Sequence, residues 1–182
     1  MRPSSYVIAV ALAVAAPALS GPATAQVVVP PTPARPADVA SIDSIIRAFY
    51  DVISGPAGAP REWARDRSLY IADVRFVATA FRRDGTPVTN LMTHQQFVDG
   101  SDAGMVRDGF FETEIHRVTR RIGNIAHVFS TYEMRRSPGS PVFGRGVNSL
   151  QLYWDGTRWW IASVVWTDED AAHPIPADYL PR

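Results

Sequence analysis

Asn148-Ser-Leu-Gln-Leu-Tyr-Trp-Asp-Gly-Thr-Arg-Trp-Trp-Ile161 is the stretch on which the fold turns. Asp155-Gly156-Thr157 is a turn signal between two runs rich in aromatic and branched residues, Arg145 to Trp154 and Trp159 to Thr167. Upstream, Phe110 to Ile122 and Ile125 to Arg135 are joined by Gly123-Asn124, a two-residue hairpin signal. Hairpin after hairpin makes the C-terminal half a meander of four antiparallel strands.

Helices come before it. Ile42, Ile45, Ile46, Phe49, Tyr50 and Ile53 recur at the helical period, which predicts a helix over about 41–54 capped by Ser41 and ended by Gly55-Pro56. A shorter helix is expected from Pro60 to Tyr70. Val74 to Phe81 reads as a strand and Arg83-Asp84-Gly85 as the turn after it. Thr93 with Gln96 makes a capping box for a third helix reaching about Asp99. Helices segregated before a meander predict an α+β domain, a curved antiparallel sheet wrapped on N-terminal helices into an open cone.

The chain has 182 residues, 46% hydrophobic and 20% charged, with a formal net charge of zero. That composition is globular and gives no electrostatic footprint for nucleic acid. Cysteine is absent, which removes disulfides, thiolate catalysis and thiolate metal sites. Every basic residue is an arginine, so a P-loop lysine and a lysine Schiff base are excluded. No cofactor-binding pattern stands out.

Residues 1–25 read as a signal peptide: Arg2, an apolar run from Tyr6 to Leu19, and the small-x-small site Ala23-Thr24-Ala25. Cleavage after Ala25 predicts a periplasmic or secreted protein with no membrane attachment afterwards. Residues 26–40, with Pro30, Pro31, Pro33 and Pro36, read as an extended linker. The folded domain is expected over 41–170, about the size of one domain with its own core. Residues 171–182 are expected to be an irregular tail.

The element order and the strand, Asp-Gly, Arg-Trp-x-Ile pattern at 148–161 resemble the nuclear transport factor 2-like superfamily, more narrowly its SnoaL-like exported bacterial members. The resemblance covers residues 41–168 and implies the cone. Members include isomerases, dehydratases, cyclases, pocket binders and dimerisation modules, so the fold does not imply one activity. Counted back from the Asp-Gly turn, the acidic oxyanion donor of ketosteroid isomerase-like members falls at Leu150, which cannot donate a hydrogen bond. The same count places the pocket-wall tryptophan at Trp166.

Counting outward from Gly123-Asn124 places His116 opposite Thr131, Glu114 opposite Glu133 and Arg120 opposite His127, all on one face. Histidine beside carboxylate suits a general base and its orienter, so His116, His127, Glu114 and Glu133 are candidate catalytic residues. The other reading is a solvated face with cross-strand charge pairs. Arg117 and Tyr132 fall on the opposite face and would suit a weakly acidic ligand. Asn148, Leu150 and Leu152 alternate as one amide among apolar side chains, the lining of a pocket for a small apolar ligand. Trp63 and Trp166 would add aromatic wall. The histidines lack metal-ligand spacing, so no metal is expected. The last strand is apolar at nearly every position, and Trp159, Ile161 and Val165 are expected to form an outer patch that pairs two copies through the sheet. Three functions follow: a small-molecule pocket, a cofactor-free isomerase, dehydratase or hydrolase, and a dimerisation module.

Overall fold

The structure is a computed structural model, and it describes residues 32–182. The leader at 1–25 and the first part of the linker lie outside the described residues.

Ser41 caps α2 (Ile42–Asp51), following the single-turn α1 (Pro36–Val39). Its Oγ accepts from the Ser44 amide at 3.0 Å, and Ser44 Oγ accepts from the Ser41 amide at 2.9 Å. Two orphan donors at the helix start are satisfied reciprocally. The apolar stripe points inward, with Ile45, Ile46, Phe49 and Tyr50 buried. The expected linker ends early: Val39 is in the core, and Asp38 accepts from Arg65 at 2.8 Å.

α3 spans only Trp63–Arg67 and not Pro60 to Tyr70. Arg61 is buried, and its guanidinium donates to the carbonyls of Gly55 (2.8 Å) and Met105 (2.6 Å), which holds the chain before α3 out of the helix. The strand expected from Val74 begins at Tyr70.

Six strands form one curved, unclosed sheet: β1 (Tyr70–Phe81), β2 (Pro87–Thr93), β3 (Phe111–Ile122), β4 (Ile125–Arg135), β5 (Gly144–Trp154) and β6 (Trp159–Asp168). Their order is β2-β1-β6-β5-β4-β3. The sheet is mixed, not antiparallel throughout, because β6 returns between β5 and β1 and runs parallel to β1. β2 was not expected. It is an edge strand exposed at most positions, so its sequence carries no in–out alternation to betray it. Gly123-Asn124 joins β3 to β4, with Ile122 facing Ile125 as anticipated.

α4 runs from His94 to Asp108, past the expected end at Asp99. Thr93 Oγ1 accepts from the Gln96 amide at 3.2 Å, and Gln96 Oε1 accepts from the Thr93 amide at 2.8 Å. Gly100 and Gly104 do not stop the helix, because Phe97 and Met105, two turns apart on one face, both pack on the core.

The tail is anchored. Ile175 is buried, Thr131 Oγ1 donates to the Tyr179 carbonyl at 2.6 Å, and the Tyr179 ring packs edge-on to Phe129 at 5.1 Å. It therefore covers part of the outer sheet face. The expected outer patch also shrinks. Register slips in β6 between Ile161, opposite Leu152, and Ser163, opposite Gln151. The slip turns Trp159 and Ile161 inward with Val164. Of the three patch residues, Val165 alone stays off the core.

Candidate functional site

The inner face of the sheet and the helices enclose a hollow of about 640 Å³, counted out to its open mouth. Phe49 of α2 and Ile53 just after it line one side, and Phe97 and Met105 of α4 another. Tyr70 and Phe76 of β1, with Val164 and Trp166 of β6, complete the apolar wall, closed by Phe110 and Met134. Four polar side chains interrupt it: Glu112, Tyr132, Asn148 and Asp168. An apolar cavity with a few convergent polar groups is the usual form of a small-molecule site.

A bulge puts the carboxyl there. His116 pairs with Thr131 as counted, but Glu114 pairs with Tyr132 and not with Glu133, because Ile115 is the extra residue. One inserted residue reverses the facing of everything before it. Glu112 and Glu114 thus turn to the inner side, while His116 and Arg120 stay outside.

Asn148 holds the polar end together. Its amide nitrogen lies 3.3 Å from Tyr50 Oη and 3.5 Å from Glu112 Oε1. Tyr50 Oη lies 2.6 Å from Ser130 Oγ, which donates onward to Glu114. Arg117 clasps Glu114, with Nε 2.8 Å from Oε1, and reaches Asp43 at 2.5 Å. Across the hollow, Tyr132 Oη donates to Asp168 Oδ1 at 2.6 Å.

Burial pushes the Glu112 carboxyl up from its ordinary 4.5 to about 8; the hydrogen bond from Asn148 pulls the other way, and the charge of Asp168 adds to the rise. Glu112 is therefore largely a neutral acid at pH 7. Burial, then the nearby Glu112, pushes the Tyr50 hydroxyl far above its usual range. Tyr132 rises likewise, from burial and then from Glu112 and Asp168.

The close fit at Tyr132 depends on Gly146 opposite it. A Cβ on Gly146 would overlap the Tyr132 hydroxyl and stand 2.6 Å from the Thr167 carbonyl. Gly146→Ala is expected to push Tyr132 off Asp168 and to destabilise the domain by about 1–3 kcal/mol. Urea unfolding checks this; a change below about 0.5 kcal/mol would show that the strand can yield there.

A second polar cluster lies beside the hollow. Asp66 is fully buried; Tyr70 Oη donates to its Oδ1 at 2.8 Å, and His94 Nε2 lies 2.7 Å from its Oδ2. It ties α3, β1 and the start of α4 into one frame.

Of the residues singled out from sequence, Asn148, Tyr132 and Trp166 line the hollow. Leu150 and Leu152 are buried in the core and do not. Trp63 is also a core residue, its indole donating to Asp102 at 2.5 Å. Arg117 stays outside the hollow in the clasp with Glu114. The His–carboxylate set does not assemble as counted. His127 lies 2.8 Å from Ser149 Oγ on the outer face, and Glu133 pairs with Arg135 at 2.8 Å. Glu114 is on the other side of the sheet. Glu112 and Asp168 were missed, the first because a bulge is silent in the alternation, the second because Asp168-Glu169-Asp170 reads as an acidic strand exit. Among the described residues, no three His, Asp or Glu side chains gather as metal ligands.

The fold recurs in solved structures. The chain has the nuclear transport factor 2-like fold. A provisionally assigned β subunit of an aromatic-ring-hydroxylating dioxygenase from Novosphingobium aromaticivorans DSM 12444 is 12% identical, with a TM-score of 0.55 over 75% of this chain and 95% of that one. A protein of unknown function with a cystatin-like fold from Nostoc punctiforme PCC 73102 is 8% identical, with a TM-score of 0.53 over 71% and 90%. A provisionally assigned dehydratase of the nuclear transport factor 2-like family from Streptomyces avermitilis is 14% identical, with a TM-score of 0.50 over 74% and 97%. At these identities the likeness shows the fold alone. No protein-family model matches the chain. No curated protein matches it either.

Proposed function

We propose that this nuclear transport factor 2-like domain binds a small, largely apolar molecule in its hollow and orients it by one polar group. The observation that carries this reading is the gathering of Glu112, Tyr132, Asn148 and Asp168 at one end of a hollow otherwise walled by aromatic and aliphatic side chains. N-phenyl-1-naphthylamine, an uncharged dye that brightens in apolar cavities, tests it. One dye per chain with micromolar affinity is expected. A cooperatively folded protein that leaves the dye dark overturns the reading.

One observation favours catalysis as a second reading. A carboxyl that titrates at about 8 can both give and take a proton near neutral pH, which suits a general acid or base. If the domain is an isomerase, dehydratase or hydrolase, Glu112 is its acid–base group, and His116 and His127 are not.

The leader suggests where this happens. We place the domain outside the cytoplasm, and protein recovered from the native host should begin at Gln26. A chain starting at Met1 would end that placement. Association with a second copy through the sheet would have to use the outer surface that the tail leaves open, around Val147 and Val165.

A further inference from the structure

The polar end of the hollow is acidic and has no basic side chain to balance it. Glu112 and Asp168 are its two carboxyl groups, and no Arg or His lines it. The titratable groups that face Glu112 are Tyr50 from α2, Tyr70 from β1, Tyr132 from β4 and Asp168 from β6. Arginines come near only from behind. Arg47 and Arg117 border an outer cleft, with Asp43, Asp51 and Glu114, that touches the back of Glu112. Arg117 is already clasped by Glu114 and Asp43.

Two of the donors around the hollow are already engaged. Tyr132 gives its proton to Asp168, and the Asn148 amide spans Tyr50 and Glu112. What remains open to a ligand includes the carboxyl groups of Glu112 and Asp168. The rest of the wall is aromatic: Phe76 stacks on Phe97 at 5.0 Å, and Trp166 stands edge-on to both at 6.5 and 6.1 Å. Such a wall suits the ring of a ligand, by burial and by edge and offset contacts. A buried carboxyl that stays neutral for want of a counter-charge ionises when a cation is brought beside it.

We propose that the hollow selects a cation: an aromatic or alicyclic amine whose ammonium sits at Glu112 and Asp168 and whose ring lies against Phe76, Phe97 and Trp166. This rests on the small-molecule reading above and replaces the weakly acidic ligand expected from Arg117 and Tyr132. The ammonium takes Glu112 as a carboxylate, so one proton passes from Glu112 to the buffer on binding.

Three compounds on one carbon frame decide it: 2-aminoindane, 2-indanol and indane-2-carboxylate, titrated calorimetrically at pH 7 in two buffers of different ionisation enthalpy. The amine should bind at least tenfold tighter than the alcohol, with release of nearly one proton, and the carboxylate should not bind. Glu112→Gln should weaken the amine tenfold or more and the alcohol by a far smaller factor; Asp168→Asn should weaken the amine less than Glu112→Gln does. An alcohol that binds as tightly as the amine, or amine binding that Glu112→Gln and Asp168→Asn leave untouched, overturns the cation and leaves the pocket standing. So does dye binding with no amine binding. If the dye fails as well, the pocket reading falls with it.

Discussion

Glu112→Gln is expected to leave stability nearly unchanged at pH 5 and to raise it at pH 9 by roughly 3 kcal/mol. The folded protein holds the Glu112 proton up to about pH 8, whereas the unfolded chain releases it near 4.5. Between those two values the native state binds one proton more than the unfolded state. Stability therefore declines as pH rises through this window and levels off above it, at up to 1.4 kcal/mol for each unit. The full window would give about 5 kcal/mol, and the opening of the hollow to water reduces it to roughly 3. Glutamine is neutral throughout and keeps the shape of the protonated acid, so the variant escapes the decline. Urea unfolding of both proteins at pH 5, 7 and 9 measures the difference. Two curves that stay parallel across this range would mean that Glu112 is ionised in the folded domain at neutral pH.

Asp66→Ala is expected to destabilise the domain by about 3–5 kcal/mol, or to prevent folding. Asp66 has no exposed surface, and its two carboxyl oxygens partner the Tyr70 hydroxyl and His94 Nε2. Removing it strands two buried polar groups at once, each worth about 1–3 kcal/mol. It also leaves a void among Tyr70, Phe76 and His94, whose rings lie within 6 Å of one another. Tyr70→Phe removes only one donor and should lose about 1 kcal/mol. Guanidinium unfolding monitored by near-ultraviolet circular dichroism separates the two. If both substitutions had the same small effect, the cluster would not be what ties α3 to α4.

Part of the site was legible from residue order, and the misplacing of the glutamates has one cause. Asn148 and Trp166 were placed by counting from the Asp155-Gly156 turn, and they are cross-strand partners at the wall of the hollow. That count crosses the slip at Ala162, which reverses facing in β6; without it Asn148 would pair with Val165, and the slip is what brings Trp166 opposite Asn148. Glu114 was placed by the same kind of count from Gly123, and there the bulge at Ile115 intervened. A bulge changes the pairing by one residue while leaving hydrophobic alternation blurred, not broken, so nothing local announces it. The catalytic candidates His116 and His127 were thereby grouped with a carboxylate that faces the other way.

The sequence by itself determined the elements whose signals are local. Ser41 and Thr93 start helices because their hydroxyls satisfy orphan amides a turn away. Gly123 turns the β3–β4 hairpin at a φ of 56°, a conformation that favours glycine. The α+β class follows from those helices preceding the hairpins. Only the tertiary structure decided which side chains meet. β6 lies between β5 and β1 because the last strand fills the position left beside the first, a choice no window of the chain contains. Asp66 finds His94 across 28 residues, and Glu112 finds Asn148 across 36. The acidity of Glu112 belongs to the same level: it arises from the loss of water inside the assembled hollow, a property of the enclosure and of no stretch of residues.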